Sequence, residues 1–483
     1  MARSFYLALP LFLACGEAHV ETAPGTAPLD ILASNIDSTV RPGDDFVRWA
    51  TGRWMKNNPI PASESGWGIG DLVFEDLYRI KRSINEQAAA NTSATGDERI
   101  IGDFWTVAMD SAKADRDGAT PLNAEFALID GIRSASDAID VAAQLSRIGS
   151  EVFWGLYIGQ DEKNSERIAV QFWQSGLGLP NRDYYFNSEE GVVHNRSVYP
   201  QHIARMLRLL GQDSSTSERS ATAIMAFETE LARASKPMED LRDPYANYNK
   251  MTVADFTAKY TPHIPWRTIL DGYGLSTCDT VIVAQPEFYR ALDRTLTTTD
   301  PGTLREYLRF HLLRAYASYL SGAIDHEHFA FYGTELNGRT EQRPRWKRVL
   351  DAEEDAIGMI LGKVFARDHF PAKTKQRYND LVEAIRTTYA EHIRALDWMS
   401  AATKTKALEK LMSMKKKVGY PDVWKDMSGL SIGTTSYADN MRNARRWEFD
   451  DEVKKFGKPV DRTRWGMTPQ TYNAYYDPSN NEI

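Results

Sequence analysis

The sequence predicts a mainly α protein, and three observations carry that prediction. From about Gly96 onward, apolar residues recur at the three- and four-residue spacing of helices with one buried face. The chain is 42% hydrophobic and 26% charged, an ordinary globular composition with enough apolar side chains for a large core. No repeat of fixed period and no long low-complexity linker breaks it up, which favours one large helical assembly over a solenoid. At 483 residues it has room for about three average domains or fewer large ones.

The N-terminal elements are not fold. Met1-Ala2-Arg3 is a short basic region, followed by the apolar run Phe5 to Leu13 and then Ala14-Cys15-Gly16. Such a run is too short to span a bilayer and suits the core of an export signal, here residues 1–15. Cys15 sits where a bacterial lipoprotein carries its lipidated first residue. Phe12 stands where that pattern usually has Leu, so the run also fits plain secretion. Residues 16–36, rich in Ala, Thr, Pro and Glu, read as a flexible spacer.

Farther along, amphipathic helical patterns cover Ala221–Ala232, Val349–Phe365, Tyr378–Trp398 and Thr403–Met414. Leu308, Leu312, Tyr316 and Leu320 recur every fourth residue, with Thr303 as the expected N-cap. Val281-Ile282-Val283 is the expected short strand. Pro180-Asn181, Asp243-Pro244, Pro262 to Pro265, Asp300-Pro301-Gly302 and Gly419-Tyr420-Pro421 punctuate the chain.

A net charge of −8, widely dispersed, argues against nucleic-acid or membrane-surface binding. Lys415-Lys416-Lys417 and Arg445-Arg446 read as solvated helix faces. The 12 Trp, 22 Tyr and 19 Phe suit deep aromatic packing or an apolar substrate cleft.

Three motifs invite chemistry and do not supply it. In Asp325-His326-Glu327-His328, a helix would point the two imidazoles about 200° apart, so they would not share one ion; an extended segment would let them, with the remaining ligands drawn from afar. Gly429-Leu430-Ser431-Ile432-Gly433 has the letters of a nucleophile elbow, but loop composition precedes it and the last His of the chain is His392, upstream. Gly176-Leu177-Gly178-Leu179-Pro180 lacks the Lys-Ser/Thr of a phosphate loop, and Pro180 would break the helix such a loop needs.

Several blocks together resemble the neprilysin family of zinc metallopeptidases, which includes the endothelin-converting enzymes and bacterial oligopeptidases. They are Arg41 to Ala62 (R-P-G-D-D-F-V-R-W-A-T-G-R-W-M-K-N-N-P-I-P-A), Gly176 to Tyr185 (G-L-G-L-P-N-R-D-Y-Y), Arg242-Asp243-Pro244 with Tyr248-Asn249, and Phe329 to Gly333. Arg343 to Arg348, Lys425-Asp426, Pro459 to Arg462 and the tail W-G-M-T-P-Q-T-Y-N-A-Y-Y follow in the family's order. The resemblance implies a large multi-helical cap over residues 37–440 and the beginning of a thermolysin-like α+β catalytic domain over residues 441–483. It implies oligopeptide substrates, held by the Asn473 side chain and the Ala474 backbone of the N-A-Y-Y strand. Where the family can carry an Arg that contacts a substrate carboxylate, Ser65-Gly66-Trp67-Gly68 has Gly66, which argues against a preference for free-carboxylate dipeptides.

The family's zinc ligands and catalytic residues lie beyond N-A-Y-Y, and no H-E-x-x-H occurs in the 483 residues. Without zinc to lower the pKa of bound water, a peptide bond meets no adequate nucleophile. The expectation is therefore the N-terminal part of an exported, periplasmic or membrane-anchored zinc endopeptidase, with no catalytic or metal-binding residue in this chain and no activity alone. The alternative is a non-catalytic peptide-binding lipoprotein that retains the cap. Animal members of the family are disulfide-rich; Cys15 and Cys278 are the two cysteines here, which points to a bacterial relative.

In a bacterial host, a fatty-acid analogue is expected to label the wild-type chain and not Cys15→Ala. Label that persists in the variant, or a mature N-terminus elsewhere, would rule lipidation out.

Overall fold

A computed structural model describes residues 30–483. Cys15, the apolar run before it and most of the expected spacer lie outside the described residues. The described residues fall into two compact units, 30–61 and 62–483.

In the first unit, Asp30 caps the short helix Ile31–Asn35, and Asp45 caps α1 (Phe46–Asn57) by accepting from Arg48 N at 2.9 Å. Asp37 is the buried polar pivot between them: its N–H donates to Trp49 O at 2.7 Å, and its Oδ1 accepts from Thr39 N and Oγ1.

The second unit is mainly α, as the sequence predicts. Its principal elements in chain order are α2 (Ile69–Ala90), α3 (Gly96–Met109), β1 (Trp154–Asp161), β2 (Asn164–Gln174), α4 (Glu190–Leu209) and α5 (Ser214–Ala234). There follow β3 (Lys250–Thr252), β4 (Thr280–Val283), α6 (Pro301–Tyr316), α7 (Gly322–Phe329), α8 (Arg345–His369), α9 (Ala372–Ala395), α10 (Ala401–Ser413) and α11 (Tyr437–Val453). No helix among the described residues is long and apolar enough to cross a membrane.

The expected strand at Val281–Val283 is present in β4, within a four-stranded sheet of order β1-β2-β4-β3. Strand β2 pairs antiparallel with β1 and parallel with β4. The β1–β2 hairpin escapes a reading of periodicity for two reasons. Its turn is Glu162-Lys163, without the Gly or Asn that advertises a hairpin. Ala169 to Phe172 of β2 are buried in succession, which hides the alternation of a half-exposed strand. The sheet carries the deepest aromatic packing: Trp154, Phe172, Phe256, Trp266 and Tyr289 are almost fully buried, with Phe256 stacked on Trp266 at 5.1 Å.

A fully buried carboxyl group organises the helical part. Glu228 on α5 accepts from Tyr185 Oη at 2.7 Å, Tyr199 Oη at 3.1 Å and Gly178 N at 3.3 Å, and His311 Nε2 lies 2.8 Å away. Arg314 Nη1 donates to Gly178 O at 3.1 Å from the other side. Burial pulls the His311 pKa below its ordinary value, so the ring is neutral and donates through Nε2. The Gly176–Tyr185 block is thus a loop wrapped on Glu228, which accounts for its residue types without any phosphate.

At α6 the N-cap is Asp300, one turn before the expected Thr303. Asp300 Oδ1 accepts from Thr303 N at 3.0 Å, and the Thr303 hydroxyl donates to Asp300 Oδ2 at 2.5 Å. Leu308, Leu312 and Tyr316 lie on the buried face as expected, whereas Leu320 is buried beyond the helix end. Asp300→Ala is expected to cost about 1 kcal/mol in urea unfolding, as lost caps do, and Thr303→Ala clearly less. The reverse ranking would restore Thr303 as the cap.

Candidate functional site

The site is built on a bare stripe of α8. Gly358 and Gly362 are one turn apart, and the segment Thr468-Pro469-Gln470 lies directly on them. A Cβ at Gly358 would stand 3.0 Å from Thr468 Cγ2, and one at Gly362 2.7 Å from Pro469 Cδ. Gln470, only 3% exposed, donates from Nε2 to Gly358 O at 2.9 Å and to Glu354 Oε1 at 2.8 Å. The Thr468 hydroxyl also donates to Glu354. Ile357, next to this contact, has φ −136° and ψ 21°, so the helix kinks there.

The far end of the tail is held as firmly. Lys417 and Glu482, with side chains 2% and 3% exposed, form a 2.6 Å ion pair. The backbone pairs too: Lys415 N donates to Asn481 O at 2.9 Å, Ile483 N to Lys415 O at 3.0 Å and Lys417 N to Ile483 O at 2.7 Å. Asp477 and Glu482 bond reciprocally across the turn between them. Lys415-Lys416-Lys417 is therefore no solvated helix face. It follows α10, its backbone pairs with the tail, and Lys416 bonds to Glu383. Arg445 likewise packs over Tyr316 and Tyr319.

Between these anchors runs Asn473-Ala474-Tyr475-Tyr476, which is irregular and outside the sheet rather than a paired strand. Asn473 and Ala474 are exposed. Asn473 N donates to Thr471 O at 3.1 Å, and Ala474 N is taken by Asn473 Oδ1 at 2.8 Å. The N–H groups of Tyr475 and Tyr476 and the carbonyls of Asn473 to Tyr476 have no partner among the described residues. Tyr475 is steadied by its hydroxyl, 3.1 Å from Glu482 Oε1, and burial raises its pKa to about 12. Tyr472 lies edge-on to Phe74 of α2, ring centroids 5.8 Å apart. Ser65–Gly68 leads into the same helix, where Gly68 N donates to Asp71 Oδ2 at 2.6 Å, and nothing stands within 4 Å of a Cβ placed on Gly66.

The described residues do not fit a zinc centre of the family's kind. His326 and His328 sit two apart on α7, and each acid of that cluster is otherwise engaged. Asp325 pairs with Arg348 at 2.5 Å, and Glu327 lies 2.8 Å from both His202 Nδ1 and Arg205 Nε. Burial pulls His328 down to about 3. The group that does converge is Glu448, Asp451 and Glu452 on α11, all carboxylates. Lys425 lies 2.7 Å from Glu448, Arg464 lies 2.8 Å from Asp451, and Lys455 also pairs with Glu452. Fixed cations already neutralise that group, and it contains no imidazole. Ser431 lies in a loop whose Gly433 exchanges two hydrogen bonds with the Asn440 side chain, which is a structural clasp.

Gly362→Ala is expected to lower the urea midpoint. Ala gains about 1 kcal/mol in helix propensity, but crowding of Pro469 costs about 1–3 kcal/mol. A midpoint that rises would show that the segment is not seated on this stripe.

The fold and sequence have known counterparts. The zinc metalloprotease ZMP1 of Mycobacterium tuberculosis, solved with an inhibitor, superposes with a TM-score of 0.86 at 34% identity, covering 93% of this chain and 68% of that one. PEPO of Lactobacillus rhamnosis shares the fold, with a TM-score of 0.81 at 20% identity over 92% of this chain and 70% of that one. Neprilysin-3 of Drosophila melanogaster is 28% identical over 487 residues, 95% of this chain and 61% of its own length. Human endothelin-converting enzyme 1 is 28% identical over 475 residues, 94% of this chain and 60% of its own length, so the chain spans about three fifths of these curated relatives. Residues 42–421 match peptidase family M13, and the chain belongs to that family and has its mainly α, neprilysin-like fold.

Proposed function

We propose that this chain is the N-terminal part of an exported zinc metalloendopeptidase that cleaves oligopeptides. Residues 37–440 form its helical cap, and residues 441–483 open its catalytic domain. The observation that carries the reading is the unpaired backbone of Asn473–Tyr476 held between two anchors, in a chain whose fold matches ZMP1 across 93% of its length. Unpaired N–H and C=O groups are what an extended peptide needs to add as a strand. In this reading the Asn473 side chain turns from its own backbone to the peptide, and Ala474 pairs through its main chain. Tyr378, Leu381, Ile385 and Tyr389 leave an exposed apolar stripe along α9, which suits burial by further polypeptide. Hydrolysis belongs to the full-length protein, where zinc supplies an activated water; this chain binds and orients. Export with Cys15 lipidated places it in the periplasm or on a membrane.

A second reading is a non-catalytic peptide-binding lipoprotein, favoured by an unpaired main-chain segment in a chain whose converging acids on α11 are already neutralised by fixed cations. Reading the DNA past the Ile483 codon separates the two: F-P-A-G and H-E-x-x-H in frame support the first.

The chain alone is expected to bind no stoichiometric zinc and to leave a quenched peptide uncut. It should still bind a labelled oligopeptide, and Asn473→Ala should weaken that binding about five-fold, one hydrogen bond's worth. Chelator-sensitive cleavage would contradict the division of labour. Affinity unchanged in Asn473→Ala would remove Asn473 from the site.

A further inference from the structure

Beside the seat of Gln470, helix α8 presents two consecutive carboxyl groups with different surroundings. Glu354 has charged and polar company: Lys81 of α2 at 3.3 Å, the Thr468 hydroxyl and Gln470 Nε2. Glu353 is fully buried, and its one donor is Asn85 Nδ2, which meets its Oε2 at 2.8 Å. Its other oxygen, Oε1, has no partner, and neither has Asn85 Oδ1, although Asn85 is also fully buried.

The Asn85 amide is not free to turn over. Its Nδ2 donates both to Glu353 Oε2 and, at 3.1 Å, to the Lys81 carbonyl one turn back on α2. Rotation would put Oδ1 against two acceptors. So Oδ1 stays an acceptor in need of a donor, and Glu353 Oε1 is the other atom in need. Both belong to groups already joined by one hydrogen bond, and a single proton on Glu353 satisfies both by closing the second bond of an acid–amide ring. An unprotonated Glu353 would instead leave a buried charge with one donor, the costlier arrangement.

We propose that Glu353 is carried as a neutral carboxylic acid, paired reciprocally with Asn85, and that this pair positions α2 and α8 as the seat of the Thr468–Tyr476 segment. Lys81 is thereby left to Glu354, and Glu354 is left to receive Thr468 and Gln470. The inference concerns the seat and stands whether or not the segment holds a peptide.

Burial, the largest influence, raises the Glu353 pKa to about 8; the Glu354 charge adds to it, while the Asn85 bond and Lys81 oppose it. Those two charges are the ones that act on Glu353; none from α3 or α11, which also pack on α8, does so. Because the folded value lies above the unfolded one of 4.5, the folded state binds the extra proton. The contribution is therefore fully present below about pH 4.5 and is lost as pH rises through about 8.

The test compares urea midpoints of the full chain and Glu353→Gln from pH 6 to 9, with amide protection at the hydrogen-bonded Thr471 and Asn473, corrected for intrinsic base-catalysed exchange, followed in parallel. The wild-type midpoint should fall as pH rises toward 8, and protection at those two amides should fall with it. Glu353→Gln, a neutral isostere able to pair with Asn85, should hold its pH 6 midpoint and protection up to pH 9. A variant destabilised equally at every pH, with the wild-type pH dependence retained, would show that Glu353 is ionised and would overturn the proposal. Should Glu353→Gln fail to fold, infrared spectra of the wild type decide. A protonated-carboxyl C=O band at pH 6 that disappears as pH passes 8 and moves to higher wavenumber in Asn85→Ala, where its hydrogen bond is lost, upholds the pair, and no such band at pH 6 refutes it.

Discussion

Where the C-terminal segment runs is fixed by what helix α8 lacks. With no side chain at Gly358 or Gly362, Thr468, Pro469 and Gln470 approach the helix backbone closely enough for Gln470 to reach the Gly358 carbonyl. A Cβ at Gly362 would force Pro469 to shift and one at Gly358 would crowd Thr468 by a few tenths of an ångström, and interiors packed at crystal density do not absorb that freely. The cost is glycine in a helix, about 1 kcal/mol per position against alanine. In exchange, a stretch with little regular structure of its own acquires a defined path. Lys417 and Glu482 then fix its far end. The main chain of the four residues between is left largely unpaired by geometry rather than by looseness.

Buried polar groups do most of the specifying elsewhere. Glu228 accepts donors from three separate parts of the chain, so the 176–185 loop, α4, α5 and α6 can meet in only one register. Such a network adds little net stability over apolar packing, but a partly satisfied version is costly, which is what makes it specific. Glu353 solves the same problem differently, with one amide and one proton. The two sites mark opposite limits for a buried acid: surrounded by donors, or neutralised.

Much of this was legible in the sequence. Period and composition gave the helical class, and the helices at 221–232, 349–365, 378–398 and 403–414 overlap observed ones. Val281–Val283 was readable because it is short, apolar and bounded by turns. The β1–β2 hairpin was not: its turn lacks glycine, and its partner strand is buried on both faces. The sequence points to Thr303 as the cap, whereas Asp300 caps the helix because Pro301 takes the first helical position and moves the boundary back by one turn. The N-A-Y-Y block was found by resemblance alone. That its main chain lies unpaired depends on Gly358, Gly362 and Lys417, more than fifty residues away, and no local pattern announces that.

The central claim is that Asn473–Tyr476 offers backbone, rather than side-chain pockets, to a ligand. Residue-resolved amide exchange with and without a saturating unstructured oligopeptide tests it most directly. The account predicts fast exchange at Tyr475 and Tyr476 in the free chain, beside slow exchange at Asp477, Glu482 and Ile483, and strong slowing at the two tyrosines when peptide is present. Peptide that binds while leaving both tyrosine amides fast, with protection arising elsewhere, would contradict it.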